Sequence, residues 1–126
     1  MARDVTILSM NCRGLADVEK RNDVLHYLKK KNYSIYCLQE THFSEEIHSL
    51  ITSKWGYKTD FNSSTSSKKG LAILINNFEF TFVKLVTDDK GDFMLLQLKI
   101  NDQTFTLIST ALIRTTQNFT IASWKN

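Results

Sequence analysis

The chain has 126 residues, a formal net charge of +3, and a composition that is 42% hydrophobic and 23% charged. This length fits one ordinary domain or part of a larger one, and the apolar content excludes a wholly disordered chain. No run approaches the roughly 18 apolar residues of a membrane span, and the first residues lack the apolar core of a secretory signal. We therefore expect no membrane partner and a location in the nucleus or cytoplasm rather than secretion.

The first half of the chain alternates between predicted strands and helices. A β-type apolar run predicts a buried strand at 5–10, and Gly14 indicates a turn after it. Asp17 is a helix-capping residue type, and the apolar stripe that follows predicts a helix over 18–31. A second short apolar run predicts another buried strand at 35–38.

The second half is predicted to contain mainly strands. After a short helix that Ser44 is expected to cap, a serine-rich polar loop leads to an apolar strand at 71–75. An antiparallel meander follows, with predicted turns at 88–91 and 101–102. Its three strands are predicted at 80–86, 93–100 and 104–110. The stretch after residue 113 has no clear hydrophobic period, and we expect no partner element for it.

Polar side chains stand at the ends of the two N-terminal strands. Glu40 follows the second strand, where a carboxylate could hold a hard cation such as Mg²⁺ and so stabilise charge on a phosphoryl group. Asn11 follows the first strand and could orient a phosphate or a metal-bound water. His42 could donate to a phosphate or act as a base. A solvated glutamate, a turn asparagine and a surface histidine are the ordinary alternatives, and the residues alone leave both interpretations open.

Basic residues flank these positions. Arg13 lies two residues after Asn11, and Lys68 and Lys69 precede Gly70, so all three could contact a nucleic-acid backbone. Charged loop residues are more often simply solvated. The sequence has no P-loop, dinucleotide-binding glycine motif, zinc-protease helix motif or EF-hand loop, which excludes those common routes to phosphate, cofactor and metal binding.

The order of the segments resembles the endonuclease/exonuclease/phosphatase superfamily. The matching segments are I-L-S-M-N-C-R-G-L at 7–15, C-L-Q-E-T-H at 37–42, S-K-W-G at 53–56, K-G-L-A-I-L-I at 69–75 and T-L-I at 106–108. Within that superfamily the chain is most similar to the endonuclease domains of LINE-type non-LTR retrotransposons, which are relatives of exonuclease III and the apurinic/apyrimidinic (AP) endonucleases. The resemblance covers residues 5–110.

The resemblance implies a fold, a metal and a substrate. The fold is a four-layer α/β sandwich of two mainly antiparallel sheets with helices outside, known as DNase I-like, and this chain would hold its N-terminal half. By resemblance, Glu40 is the ligand of Mg²⁺, with Mn²⁺ as a substitute, and Asn11 is the amide beside the metal and the scissile phosphate. The implied partner is DNA, which the family cuts with a metal-assisted water.

The chain departs from the family after 106–108. The family has an Asn-x-Tyr-Ala-Pro type segment there, whereas this chain has S-T-A-L-I at 109–113, and the family's later Asp-x-Asn and Asp-His motifs are absent from the sequence. We therefore expect a partial domain at 1–110 and a divergent tail at 111–126. A half-sandwich would leave one sheet face open, which predicts self-association through that face.

Three functions remain open at this stage. The first is a truncated Mg²⁺-dependent DNA phosphodiesterase domain of the exonuclease III and AP endonuclease type, inactive as the isolated chain. The second is a non-enzymatic, retrotransposon-derived remnant that binds nucleic acid or a partner protein. The third is a phosphoesterase of the same superfamily with another substrate.

Overall fold

Two β-sheets and two helices make up the part of the chain that the computed structural model describes, residues 4–63, 69–111 and 119–125. The helices are α1 (Val18–Lys31) and α2 (His48–Trp55), with a 3₁₀ turn at Glu45–Ile47 directly before α2. The strands are β1 (Asp4–Asn11), β2 (Ile35–Gln39), β3 (Thr59–Asn62), β4 (Leu71–Ile75), β5 (Thr81–Thr87), β6 (Phe93–Ile100), β7 (Gln103–Thr110) and β8 (Phe119–Lys125). Neither of these two helices is long and apolar enough to cross a membrane.

The first sheet has the strand order β3-β4-β2-β1-β8, and the second has the order β5-β6-β7. Strands β1 and β2 run parallel, and the other described neighbours are antiparallel. The predicted mainly antiparallel sandwich is therefore confirmed. Because β1 and β2 are parallel, with Asn11 opposite Gln39, both strands end at the same edge of the sheet.

Side-chain alternation along the first sheet divides the core into two parts. On β2, Ile35 and Cys37 pack with residues of the second sheet, whereas Tyr36 and Leu38 pack with the helices. All five residues of β4 are buried, as expected of a central strand covered on both faces. The described chain thus has three layers, in the order helices, first sheet, second sheet.

This layering corrects the prediction of an open sheet face. The meander packs on the inner face of the first sheet and covers it with side chains such as Met94, Leu96 and Leu98. The basis for the predicted self-association is therefore not found. An apolar row lies elsewhere, on the outer face of the second sheet, where the exposed Val86 and Ile108 flank the half-buried Leu95 on three adjacent strands.

The expectation that the last stretch has no partner element is wrong. Strand β8 pairs antiparallel with β1 along almost its whole length, from Asp4 opposite Lys125 to Met10 opposite Phe119. Residues 112–118 and 126 of the predicted tail lie outside the described residues. The sequence signal was weak because an edge strand can alternate irregularly and still gain a full ladder of backbone hydrogen bonds.

The helix starts follow from local chemistry. Asp17 caps α1 as predicted, because its carboxylate accepts a hydrogen bond from the backbone N–H of Lys20 at 2.8 Å. Ser44 precedes the 3₁₀ turn, but its side chain makes no capping bond. The predicted helix after Ser44 therefore begins with a 3₁₀ turn and becomes α-helical only at His48.

Candidate functional site

Three loops converge where β1 and β2 end and β4 begins. The loop after β1 donates backbone hydrogen bonds to the end of β2, from Gly14 N to Glu40 O at 2.7 Å and from Leu15 N to Thr41 O at 2.8 Å. The segment after β2 donates in turn to the residues before β4, from Thr41 N to Gly70 O at 3.2 Å. The ladder of the sheet thus continues into the loops and holds their polar side chains in place.

Asn11 and Glu40 meet at this edge. The Asn11 Nδ2 donates to Glu40 Oε2 at 2.7 Å, and the Asn11 Oδ1 accepts from the backbone N–H of Arg13 at 3.0 Å. The Asn11 amide is therefore held from both ends, and it fixes one carboxylate oxygen of Glu40. The two residues that the sequence singled out most strongly are brought together.

Left-handed backbone marks the same place. Arg13, Glu40 and His42 have φ values of 53°, 50° and 58° without being glycine. Such residues cost of order 1–3 kcal/mol each and tend to persist where the surroundings enforce them, often at functional sites. The left-handed turn at Glu40 re-aims the chain directly after β2, so that the carboxylate stands at the sheet edge beside Asn11.

His42 packs against the loop after β1. A Cβ on Gly14 would lie 2.6 Å from His42 Nδ1, so only glycine allows this close approach. The His42 Nε2 is buried without a hydrogen-bond partner, as is the Thr41 hydroxyl next to it. No described hydrogen bond joins His42 to Glu40 or Asn11, so its predicted role as donor or base stays a prediction.

The basic residues have different surroundings. Arg13 is exposed on the loop after β1. The Lys69 Nζ forms an ion pair with Asp92 at 3.2 Å, in which both side chains are partly exposed. Lys68 lies outside the described residues. Phosphate contacts by Arg13, Lys68 and Lys69 remain predictions.

A divalent ion would find one carboxylate here. Within the described residues no group of three or more His, Cys, Asp or Glu side chains could hold a metal ion. Mg²⁺, however, commonly keeps several waters and binds through one or two carboxylates together with substrate phosphates. Glu40 fits that mode, because Asn11 engages Oε2 and the second oxygen, Oε1, has no described partner.

Sequence reasoning missed a polar set on the inner face of the sandwich. Gln39 is buried, and its Nε2 donates to Ser9 Oγ at 2.9 Å and to Cys37 O at 3.2 Å. Gln39 Oε1 and the hydroxyl of Ser109 on β7 are buried without partners. With Thr41 and His42, this end of the sandwich holds four of the six described buried side-chain polar atoms that lack a partner. Strand alternation, which places Ser9 and Gln39 on the apolar face, was the available signal.

Asn62 ties the two sheets together near the site. Its Nδ2 donates at 2.8 Å both to Asp88 Oδ1 and to the backbone oxygen of Phe93. Desolvation alone would raise the pKa of Asp88, but donors from Asn62 and from the backbone of Asp92 and Phe93 outweigh it and lower that pKa. The contact fixes the β3 edge of the first sheet to the β5–β6 turn of the second.

Cys12 lies next to Asn11, in surroundings that disfavour its reactive thiolate form. Burial raises the pKa of the Cys12 thiol to about 12, an effect that Lys20 opposes and Glu40 adds to. Burial likewise raises the pKa of Cys37 to about 12. Both cysteines are free and buried, as predicted, and their thiols stay protonated near neutral pH.

A groove of about 420 Å³ lies on the helix side of the first sheet and does not include the pair. Its lining residues are Met10, Asp17, Glu19, Lys20, Asp23, Val24 and Tyr27. Three carboxylates against one lysine would repel a phosphate. The groove is therefore a poor site for a phosphorylated substrate, and the sheet edge at Glu40 is the better one.

No protein-family model matches the chain. Its fold matches truncated TDP2 from Caenorhabditis elegans with a TM-score of 0.68 and 21% identity, covering 90% of this chain and 48% of that one. It matches the AP endonuclease LMAP from Leishmania major with a TM-score of 0.65 and 16% identity, covering 86% and 40%. It also matches ANGEL2, a 2′,3′-cyclic phosphatase, with a TM-score of 0.63 and 17% identity, covering 86% and 41%.

These similarities confirm the predicted DNase I-like fold. The chain spans about half the length of the truncated TDP2 structure and less of the other two. The described strands and helices match that portion of the fold, as the resemblance predicted for an N-terminal half.

Proposed function

We propose that this chain carries the metal-binding end of a phosphodiesterase site, in which Glu40 holds Mg²⁺, or Mn²⁺ in its place, and Asn11 fixes the carboxylate. The observation that carries the proposal is the 2.7 Å hydrogen bond between the two side chains at the edge where two parallel strands end. A bound Mg²⁺ would stabilise negative charge on a phosphoryl group. Asn11 contributes by holding Glu40 without adding charge of its own.

The proposed substrate is DNA, of the exonuclease III and AP endonuclease type. The C-L-Q-E-T-H segment supports this choice and a LINE retrotransposon origin, because it resembles the corresponding segment of that family. A fold match to an AP endonuclease is consistent with it. For this role we propose a location in the nucleus or cytoplasm, and we keep 1–110 as the domain segment with 111–126 as a divergent tail.

We further propose that the isolated chain does not hydrolyse DNA. Hydrolysis needs a base or an oriented water beside the metal ligand. No described hydrogen bond links Glu40 or Asn11 to a histidine or to a second carboxylate. We therefore assign binding and orientation to Glu40 and Asn11 and assign neither of them the proton transfer.

Metal binding is tested with the 126-residue chain in solution. Mn²⁺ is titrated while two-dimensional amide NMR spectra are recorded, because a bound paramagnetic ion broadens the signals of nearby amides. The expected result is early broadening at residues 11–13 and 40–41, lost in Glu40→Gln and kept in Glu45→Gln. Glu45 is the matched control, since it is an exposed carboxylate on the neighbouring 3₁₀ turn. Broadening that persists in folded Glu40→Gln would refute the proposed ligand.

Hydrolysis is tested on supercoiled plasmid DNA with Mg²⁺, beside Glu40→Ala and a chelator control. We expect no nicking from the wild-type chain. Nicking that requires both Glu40 and the metal would overturn the proposed inactivity and establish this chain as a nuclease.

Nucleic-acid binding without hydrolysis is the second candidate, favoured by the lack of a described base beside Glu40. Fluorescence anisotropy with labelled DNA would show salt-dependent binding that weakens in Arg13→Ala if the exposed loop contacts the backbone. The third candidate, a phosphoesterase with another substrate, draws on the fold match to a 2′,3′-cyclic phosphatase. Hydrolysis of a cyclic nucleotide without plasmid nicking would favour it.

A further inference from the structure

The structure assigns Lys20 and Arg21, in the first turns of α1, as positioning residues for Glu40, an inference that rests on the proposed metal-binding role of this carboxylate. Neither residue touches Glu40 in any described hydrogen bond or ion pair. Both act on the loop between β1 and α1, and this loop contacts the backbone at Glu40. The sequence shows only two basic residues on a helix and gives no hint of this role.

Arg21 is 3% exposed, although it is charged. Its Nη1 donates to the backbone oxygens of Leu15 and Ala16, each at 3.2 Å, and its Nε is buried without a partner. No described ion pair includes Arg21. Burying a guanidinium is costly unless hydrogen-bond acceptors surround it. The two carbonyl groups of this loop are the described acceptors that offset the cost of burying Arg21.

Lys20 binds the first part of the same loop. Its Nζ donates to the backbone oxygen of Cys12 at 3.0 Å and lies 3.5 Å from that of Arg13. Within residues 12–16, four backbone carbonyl groups therefore face a cationic side chain of α1. They belong to Cys12, Arg13, Leu15 and Ala16. An irregular loop has no neighbouring strand to donate hydrogen bonds to these carbonyl groups, so the side chains of α1 donate them instead.

The other side of the loop holds Glu40. Gly14 N donates to Glu40 O, and Leu15 N donates to Thr41 O. The loop peptides are thus bound on one side by α1 and on the other side by the end of β2. Glu40 is left-handed, with φ of 50°, a conformation that relaxes unless its surroundings enforce it. Releasing the loop from Lys20 or Arg21 would let the backbone at Glu40 relax and would move the carboxylate away from Asn11.

The test compares Lys20→Met with Lys20→Arg, which restores a cation, and with Lys30→Met, an exposed control on the same helix. Two NMR readouts are used on each folded variant. The first is hydrogen exchange of the Gly14 and Leu15 amides, with the helix-capping amide of Gly56 as the internal reference. The second is the Mn²⁺ dissociation constant at the Glu40 site.

We expect faster exchange at Gly14 and Leu15 in Lys20→Met but not in Lys30→Met, and an Mn²⁺ dissociation constant raised about tenfold, as for lost outer-sphere partners of other metal sites. Both effects should be reversed in Lys20→Arg. Arg21→Lys, which keeps a buried cation, should show the same two effects as Lys20→Met, each of smaller size.

The outcomes separate the two proposals. Unchanged exchange at Gly14 and Leu15 in folded Lys20→Met refutes the positioning role, whether or not the Mn²⁺ dissociation constant changes. Faster exchange with an unchanged Mn²⁺ constant also refutes it, because the loop would then not position Glu40. Absence of Glu40-dependent Mn²⁺ binding in the wild-type chain refutes the proposed function and with it a positioning role that serves a metal.

Discussion

Replacing Asn62 with alanine should cost about 1–3 kcal/mol of stability, a large effect for one polar side chain at the edge of a sheet. Asn62 is 8% exposed, and it makes two hydrogen bonds of 2.8 Å to the second sheet. Removing a donor so that a carbonyl oxygen is left without its partner costs about 1–3 kcal/mol, and alanine would leave the oxygen of Phe93 in that state. The bond to Asp88 adds less, because this carboxylate is open to solvent and keeps the backbone donors of Asp92 and Phe93.

Guanidinium unfolding followed by tryptophan fluorescence measures this loss. Trp55 is 1% exposed and donates to the backbone oxygen of Ile75, so its emission reports unfolding of the first sheet. Asn77→Ala is the matched control, because Asn77 is exposed and should change stability by less than about 0.5 kcal/mol. A loss below about 1 kcal/mol in Asn62→Ala, at an unchanged denaturant slope, would refute the reasoning.

Two further predictions concern the site and the pH. Gly70→Ala should destabilise the chain more than Gly56→Ala. Both glycines have positive φ, but of the two only Gly70 would place its new Cβ against another atom, Thr41 Oγ1 at 2.5 Å. Equal losses of stability on thermal unfolding would contradict this prediction. Burial lowers the pKa of His48 below its usual 6.5, although Glu45 raises it, so the unfolded chain takes up the proton first as pH falls. The free energy of unfolding should therefore decrease below about pH 6.5, and that part of the slope should be absent in His48→Gln.

The sequence predicted most of the elements with strong local signals. The predicted bounds of α1, β4 and β6 agree with the structure, because a capped amphipathic helix and strongly apolar strands can be recognised from local sequence. The family resemblance put Asn11 and Glu40 at one site, and the structure brings their side chains within hydrogen-bonding distance. The contact between Asn11 and Glu40 depends on β1 and β2 being parallel neighbours. Parallel neighbours need a crossover connection, and α1 provides it.

What escaped prediction depends on long-range contacts. Strand β3 is short and polar, and β8 has no alternation to reveal it, so only their partners β4 and β1 make them strands. The left-handed backbone at Glu40 had no signal either, because glutamate is not a residue type that marks positive φ. The contacts of Lys20 with the loop belong to the same class, since a lysine in a first helical turn is otherwise unremarkable.

The pairing of β8 with β1 bears on how the chain folds as it is synthesised. Asp4 pairs with Lys125, so two of the partners in this sheet are separated by almost the whole chain. Until β8 leaves the ribosome, β2 is the one partner of β1 in the described sheet, and the other edge of β1 offers free backbone groups to any extended segment nearby. Contacts of such sequence separation close late and slowly. Chaperone demand should therefore be concentrated in the short interval between the emergence of the meander and the docking of β8.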